Sequence, residues 1–234
     1  MRKSLNQITE KHSKSGALFK DFILGGQDGL VNVLGIILGI AIGTGDVKIV
    51  ILAGLAAAFA ESVSMGAVAF TSTKAEVDYY KSQEKKEEYE IENYPETEKK
   101  EIYDIYYKKG FRGKLLNQIV KNITSNKKRW KDIMMTEELG LSKEFANPVK
   151  SAIIVFLAAL VGSFVPLTAF FFFPLKTAVI FSLIISSIVL FITGAIEAKI
   201  TIGNWVKKGI QLMVIGMASA GIGFLIGKLV GVNV

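Results

Sequence analysis

Five long apolar stretches dominate the pattern of hydrophobic and polar positions along the chain. They run from about 22 to 43, 47 to 73, 149 to 170, 175 to 197 and 209 to 230. A helix needs about 20 mostly apolar residues to cross the hydrocarbon core of a bilayer. Each stretch is therefore predicted to be a membrane-spanning helix, with tight turns at Gly43-Thr44-Gly45-Asp46 and Phe173-Pro174-Leu175.

A polar insert separates the second span from the third. Its pattern predicts a helix that continues out of span two and breaks at Asn93-Tyr94-Pro95, and a second helix that ends near Gly110. An amphipathic helix is expected next, and a last helix is expected from about Asn126 to a C-capping glycine at Gly140. The apolar positions of the amphipathic helix are Leu115, Leu116, Ile119, Val120 and Ile123.

The predicted organisation has four parts. Residues 1–21 form an N-terminal arm, 22–73 the first two transmembrane helices, 74–147 the helical insert, and 148–234 transmembrane helices 3–5.

The charges are segregated in the same way. Half of the residues are apolar and 21% are charged, and 31 of the charged residues lie between Lys74 and Glu144. The net charge of +7 comes largely from the arm and the helix ends, which is where basic residues face the cytoplasm. This placement argues against nucleic acid as a partner, and it predicts a cytoplasmic N-terminus and insert and an outside C-terminus. The arm lacks the apolar core and cleavage site of a secretory signal, so we expect it to be retained.

The chain has no cysteine and one histidine, His12. A metal site must therefore be built from carboxylate, thioether, hydroxyl or backbone oxygen. Such a ligand set argues against structural zinc and favours Fe²⁺ or Mn²⁺.

Two carboxylates lie inside the predicted spans. Asp28 is the only charge between Phe22 and Gly45, and Glu61 is the only charge between Ile49 and Thr73. A charge at membrane depth costs roughly 2.5–3.5 kcal/mol on insertion scales, so it rarely persists without a function or a partner. Met65 follows Glu61 by one helical turn and offers a thioether on the same face. The alternative is that each acid snorkels or pairs structurally.

Further carboxylates are predicted to converge in the insert. Glu87 and Glu90 share one helix face, Glu98 and Glu101 share another, and the break at Pro95 would fold these helices against each other. Four or more converging carboxylates repel unless cations lie between them. The alternative is a solvated face with lysine partners, such as Glu96 with Lys100. The last helix would complete the cluster with Met134, Met135, Glu137 and Glu138.

Small residues recur every fourth position in the first span, at Gly35, Gly39 and Gly43. This spacing allows helix backbones to approach closely. It is weak evidence for a homodimer in which spans one and two lie near the two-fold axis.

Four motifs resemble those of the vacuolar iron transporter family, and they occur in the family's order along nearly the whole chain. Asp21–Leu30 resembles its D-x-x-x-G-x-x-D-G signature, and Ser64-Met65-Gly66 resembles its S-M-A/G motif. Ile105–Phe111 and Met134–Leu141 resemble landmarks of its cytoplasmic domain.

The resemblance implies a five-span dimer that exports Fe²⁺, and often Mn²⁺, from the cytosol in exchange for protons. Asp28 and Met65 match the family's pathway residues. The metal-binding set implied for the insert is Glu87, Glu90, Glu98, Glu101, Met134 and either Glu137 or Glu138.

Two departures from the family pattern leave questions open. Val68-Ala69-Phe70 stands where the family usually has G-E-Y, and Ala57 replaces a carboxylate often found two turns before the span-two methionine. Glu61, one turn before Met65, either substitutes for that acid or marks a different ion path.

The sequence thus predicts an all-α, polytopic membrane protein with five transmembrane helices and a cytoplasmic helical metal-binding domain inserted between helices 2 and 3. The expected function is transport of Fe²⁺, with Mn²⁺ as a second substrate, out of the cytosol by proton antiport through Asp28, Glu61 and Met65. The alternative is a membrane-anchored metal store or sensor. An enzyme is not expected, because no nucleophile–base pair is present. No cofactor is expected either; the partners are metal ions, with Zn²⁺ as a further occupant of the insert, protons, the bilayer and a second copy. The membrane would be the plasma membrane in a prokaryote and the vacuolar membrane in a eukaryote.

Overall fold

A computed structural model describes residues 12–143, 145–201 and 203–231, and all regular elements among them are helical. The basic residues Arg2, Lys3 and Lys11 of the arm lie outside the described residues. Helix α1 begins at His12 and continues without a break into the first span. The helices are α1 His12–Thr44, α2 Val47–Asn93, α3 Pro95–Lys108, α4 Gly113–Thr124, α5 Lys127–Ile133, α6 Pro148–Phe172, α7 Leu175–Ile200 and α8 Trp205–Val230, with a π-helical turn at Met134–Glu138 after α5.

Among the described residues, five helices are long and apolar enough to cross a membrane, and this confirms the predicted all-helical, five-span pattern. They are Leu18–Thr44 of α1, together with α2, α6, α7 and α8. The predicted breaks within the insert are confirmed as well. Helix α2 ends at Asn93 and α3 has Pro95 in its first turn, where proline fits because its missing N–H has no helical partner there. Gly140 adopts a positive φ of 65° beyond the π-helical turn.

The chain divides into two compact units. The membrane unit ends at Thr71 and resumes at Ala146, and the insert unit comprises Ser72–Phe145. Helix α2 supplies residues to both.

Helix α1 lies at the centre of the membrane unit, packed against α6, α7 and α8. Glycines in its first half allow close approach to α6. A methyl group on Gly25 would lie 2.6 Å from the carbonyl oxygen of Val155, and one on Gly29 would lie 2.7 Å from Ser163 Oγ. Ser151 also donates a hydrogen bond of 2.5 Å to Asp21. The Asp21–Gly29 signature thus fastens α1 to α6.

The glycines of the second half of α1 face α8 of the same chain. A methyl group on Gly39 would lie 2.9 Å from the carbonyl oxygen of Gly223, and one on Gly43 would lie 3.3 Å from that of Gly227. The stripe therefore has a contact partner within the chain, and its predicted role in close contact between two chains stays a prediction. The small residues of α1 and α8 form a close helix–helix contact within the chain, as small-residue repeats do in membranes.

The insert unit is a small helical bundle with its own core. The buried residues of this core come from α2, α3, α4, α5 and the π-helical turn, and each pair of helices is joined by a short connection. Asn126 caps α5 by accepting a 3.0 Å hydrogen bond from the backbone N–H of Arg129. The core residues are Ile91, Ile102, Ile123, Trp130 and Met134.

Candidate metal site and membrane path

Two glutamates are buried in the insert unit, which is rare for this residue type. Glu87 on α2 is 2% exposed and Glu98 on α3 is 4% exposed. Among the described residues, neither Oε2 atom has a hydrogen-bond partner. Burying a carboxylate without a partner is costly, so these two positions are candidates for a functional role.

The pKa values of Glu87 and Glu98 are raised accordingly. Burial raises the pKa of Glu87 to about 7, and the charges of Glu138 and Glu90 add to the shift. Burial likewise raises the pKa of Glu98 to about 7, followed by the charges of Glu101 and Glu87. The pKa of Glu138 is also raised, by burial first and then by Glu101 and Glu90. The structure thus brings five predicted ligands within electrostatic reach of one another: Glu87, Glu90, Glu98, Glu101 and Glu138.

Met134 lies in the adjacent apolar layer. It is fully buried and packs with Ile91 and Ile102, which follow Glu87 and Glu98 by one turn each. The π-helical turn closes with a 3.2 Å hydrogen bond from the Leu139 N–H to the Met134 carbonyl oxygen. The extra residue in this turn lets both Met134 and Met135 point into the core, and π-helical turns are frequent at functional sites.

Glu137 and Glu138 have different partners. Glu137 forms an ion pair with Lys109, whereas Glu138 lies within electrostatic reach of the carboxyl groups of Glu101 and Glu90. Lys86 on α2 contacts the five carboxylates at one point, where it pairs with Glu90 at 3.5 Å.

A second set of glutamates on α2 is neutralised by lysines, and sequence reasoning did not distinguish it. Lys131 pairs with Glu84 at 3.3 Å and with Glu88 at 3.0 Å, and Lys127 pairs with Glu92 at 3.0 Å. Lys143 pairs with Glu84 at 3.5 Å and with Asp132 at 3.1 Å. The alternative of a solvated face with lysine partners therefore holds for Glu84, Glu88 and Glu92. It also holds for Glu96, although its partner is Lys99 at 2.6 Å rather than Lys100.

The five carboxylates do not form a closed ligand shell. Within the described part of the chain, no three histidine or acidic side chains are placed so that they could hold a metal ion as they stand. Binding a cation would therefore require side-chain rotations that draw the glutamates together.

In the membrane unit, Asp28 and Glu61 are brought together. Both are half-buried, and the Glu61 carboxyl group lies within electrostatic reach of Asp28. The amide of Asn32, one turn after Asp28, donates a hydrogen bond to Glu61 Oε1. Sequence reasoning missed Asn32, although its i, i+4 relation to Asp28 in an apolar span was a usable signal. Met65 is half-buried one turn from Glu61.

A groove of about 810 Å³ opens beside this group, between α1, α2 and α8. Its walls are mainly glycine, alanine and isoleucine, and Asn32 and Glu61 are among its few polar lining residues, with Thr44 and Ser219. Ala57, which replaces a carboxylate often found in the family, is also one of the residues that line this groove.

Five apolar helices and paired carboxyl groups between two of them define a polytopic helical membrane protein with the features of an ion transporter. The chain belongs to the VIT family, whose model matches residues 19–228. It is 32% identical over 228 residues to vacuolar iron transporter 1 of Tulipa gesneriana, covering 97% of this chain and 92% of that protein. It is 31% identical over 228 residues to vacuolar iron transporter 1 of Arabidopsis thaliana, covering 97% and 91%. It is also 28% identical over 224 residues to protein CCC1 of Saccharomyces cerevisiae, covering 92% and 69%.

Membership confirms the family resemblance noted in the sequence. The protein is an integral membrane transporter rather than an enzyme, and the names of its relatives support a metal ion as the transported substrate.

Proposed function

We propose that this protein moves Fe²⁺, and secondarily Mn²⁺, out of the cytosol in exchange for protons. The observation that carries the proposal is the pairing of Asp28 with Glu61 between two apolar helices. Carboxylates at membrane depth mark ion paths, because their cost must be offset by a partner or by a transported cation.

Capture of the metal is assigned to the insert unit. The groups involved are Glu87, Glu90, Glu98 and Glu101, with Glu138 and Met134 from the last turn. Support comes from burial, which is the main cause of the raised pKa of Glu87 and Glu98, and from the neighbouring negative charges that add to it, since a divalent cation would relieve that repulsion. The ion pair of Glu137 with Lys109 favours Glu138 as the ligand. Zn²⁺ would also fit this oxygen-rich site.

Translocation is assigned to Asp28, Glu61 and Met65. A carboxyl group that binds a divalent cation gives up any proton it carries, so metal arrival and proton release are coupled at such a site. The thioether of Met65 adds a soft ligand that favours Fe²⁺ over Mg²⁺ and Ca²⁺ without adding charge.

The topology we propose has the N-terminus and the insert in the cytoplasm and the C-terminus outside. Lys199 at the end of α7 and Lys207 and Lys208 at the start of α8 support this orientation. Lys208 also pairs with Glu197 at 2.7 Å. The functional unit is a homodimer in the plasma membrane of a prokaryote or the vacuolar membrane of a eukaryote.

The test is Fe²⁺ uptake into liposomes that contain the purified protein and a pH-sensitive dye. We expect uptake with an opposite movement of protons, and we expect Asp28→Asn to abolish both while leaving the fold and Mn²⁺ binding by the insert unit intact. Thr193→Val, which removes a hydroxyl satisfied within α7 by Val189 at 2.9 Å, is the control. Near-normal transport by Asp28→Asn would contradict the proposed path.

A metal store or sensor is the second candidate. The insert unit has its own core and its own cluster of glutamates, and such a cluster could hold metal without transport. A store would not need Asp28 or Glu61, so wild-type protein that binds Mn²⁺ but moves no metal would favour this function.

A further inference from the structure

We infer that Asn32 is a positioning residue of the metal path, which holds the Glu61 carboxylate in place beside Asp28. This inference rests on the proposed function, because it assigns a role within that path.

The first observation is a hydrogen bond between helices. The side-chain amide of Asn32 on α1 donates to Glu61 Oε1 on α2, two residues that are 29 positions apart in the chain. An amide N–H can donate to a carboxyl oxygen in either protonation state of Glu61, and the bond is about twice as strong when the acceptor is ionised. This bond therefore has the strength to select one orientation of the Glu61 side chain.

The second observation is the setting of that bond. Asn32 and Glu61 both line the groove, whose nearby walls include Gly35, Ile36 and Ala60. A glutamate side chain has three rotatable bonds, and these apolar walls offer it no hydrogen bond. Fixing such a side chain costs rotamer freedom. The bond from Asn32 offsets this cost before a cation arrives.

The third observation is the geometry relative to Asp28. Asn32 follows Asp28 by four residues on α1, so the two side chains share one helix face, and Glu61 interacts with both. The bond occupies Oε1 of Glu61 and one amide hydrogen of Asn32, so Oε2 and the amide oxygen keep acceptor capacity. Asn32 thus orients the Glu61 carboxyl group toward Asp28 without adding a charge of its own.

A purely structural role makes a different prediction. Interhelical hydrogen bonds in membranes contribute modestly to stability, and a residue that only joined α1 to α2 would affect stability rather than transport kinetics. Exchanging the two groups separates these roles. Asn32→Asp combined with Glu61→Gln keeps one carboxyl group and one amide across the same pair of helices.

The experiment measures initial rates of Fe²⁺ uptake into liposomes, over a range of Fe²⁺ concentrations, with the full chain. For Asn32→Leu we expect the KM for Fe²⁺ to rise at least fivefold and uptake at low Fe²⁺ to fall at least tenfold. For Glu61→Gln we expect a loss of more than tenfold. The double variant Asn32→Asp/Glu61→Gln should recover at least a third of the wild-type rate, and Thr193→Val should match the wild type.

Two results would overturn the inference while leaving the proposed function standing. One is Asn32→Leu uptake within twofold of the wild type. The other is a double variant as inactive as Glu61→Gln alone, which does not depend on whether Asn32→Leu folds. A wild-type protein that moved no Fe²⁺ would instead overturn the proposed function, and this inference with it.

Discussion

Single residues of the insert unit differ in whether a lysine neutralises them. Glu84, Glu88 and Glu92 have lysine partners, whereas Glu87 and Glu98 are buried with an unpartnered Oε2 among the described residues. Glu87 lies on α2 with the lysine-paired glutamates but has a buried side chain, and Glu98 is buried on α3. One set holds the bundle together and the other is free to meet a cation.

The buried pair predicts an unusual pH dependence of stability. The pKa of Glu87 and of Glu98 is about 7 in the folded chain, above the ordinary value for a glutamate. Between these values the folded chain holds protons that the unfolded chain has released, so the free energy of unfolding falls as pH rises. The stabilisation is complete below about pH 4.5 and is lost as pH rises through about 7. Metal-free protein should therefore unfold several degrees lower at pH 8 than at pH 5.

Thermal unfolding in detergent with a chelator checks this expectation. Glu87→Gln/Glu98→Gln should flatten the dependence on pH, and Mn²⁺ should restore stability to the wild type at pH 8. Glu96→Gln is the matched control, because Glu96 is exposed and pairs with Lys99 at the surface. An unchanged slope in the double variant would contradict the assignment of the shift to these residues.

Lys131 is expected to support the metal cluster from the opposite face. Its side chain is 16% exposed and pairs with Glu84 and Glu88, and α5 leads directly into the turn that carries Met134 and Glu138. Lys131→Met leaves the partly buried Glu84 with Lys143 as its remaining partner and removes the 3.0 Å contact of Glu88, which weakens the contact of α5 with α2. We expect Mn²⁺ affinity of the full chain, measured by calorimetry, to fall threefold to tenfold. Lys127→Met, which breaks the exposed pair with Glu92, should change it less than twofold; equal effects would refute a specific role for Lys131.

At the scale of elements, the π-helical turn Met134–Glu138 determines how the side chain of Glu138 is oriented relative to that of Met134. Deleting Thr136 removes the extra residue and should return the turn to α-helix, so that Glu138 follows Met134 by three residues instead of four and its side chain changes position relative to Met134. We expect helix content by circular dichroism to be unchanged and Mn²⁺ affinity to fall at least tenfold. Thr136→Ala keeps the length and should bind normally. Normal binding by the deletion variant would show that the extra residue has no role in the site.

The contact between α1 and α8 predicts a sharp difference between two neighbouring glycines. A methyl group on Gly223 would collide with the backbone of Gly35, whereas one on Gly221 would meet nothing within 4 Å. Gly223→Ala should therefore lower the melting temperature by several degrees, because backbone cannot move aside easily. Gly221→Ala should leave it unchanged or raise it slightly, since alanine favours helix over glycine. Equal effects of the two changes would contradict this packing.

For the whole molecule, the sequence was sufficient where local chemistry decides the structure. Apolar length predicted the five spans, and Pro95 and Gly140 predicted where helices break and end, because these depend on a residue and its immediate neighbours. Spacing alone could not show that Gly39 faces α8, that Glu88 meets Lys131, or that Asn32 meets Glu61. Those contacts depend on which helices are neighbours, and the π-helical turn depends on core packing around Met134.

The proposed homodimer is a prediction about the outer surface of the membrane unit. Since Gly35, Gly39 and Gly43 already contact α8, we expect exposed side chains of α2 to contribute to the contact with a second chain. The absence of cysteine in the sequence makes single cysteines clean probes. Val63→Cys on α2 and Val161→Cys on α6 are matched, with side chains 60% and 65% exposed. We expect an oxidative cross-link between chains for Val63→Cys in membranes and none for Val161→Cys. Equal cross-linking at both positions would indicate random collision, and cross-linking only at Val161 would move the interface from α2 to α6.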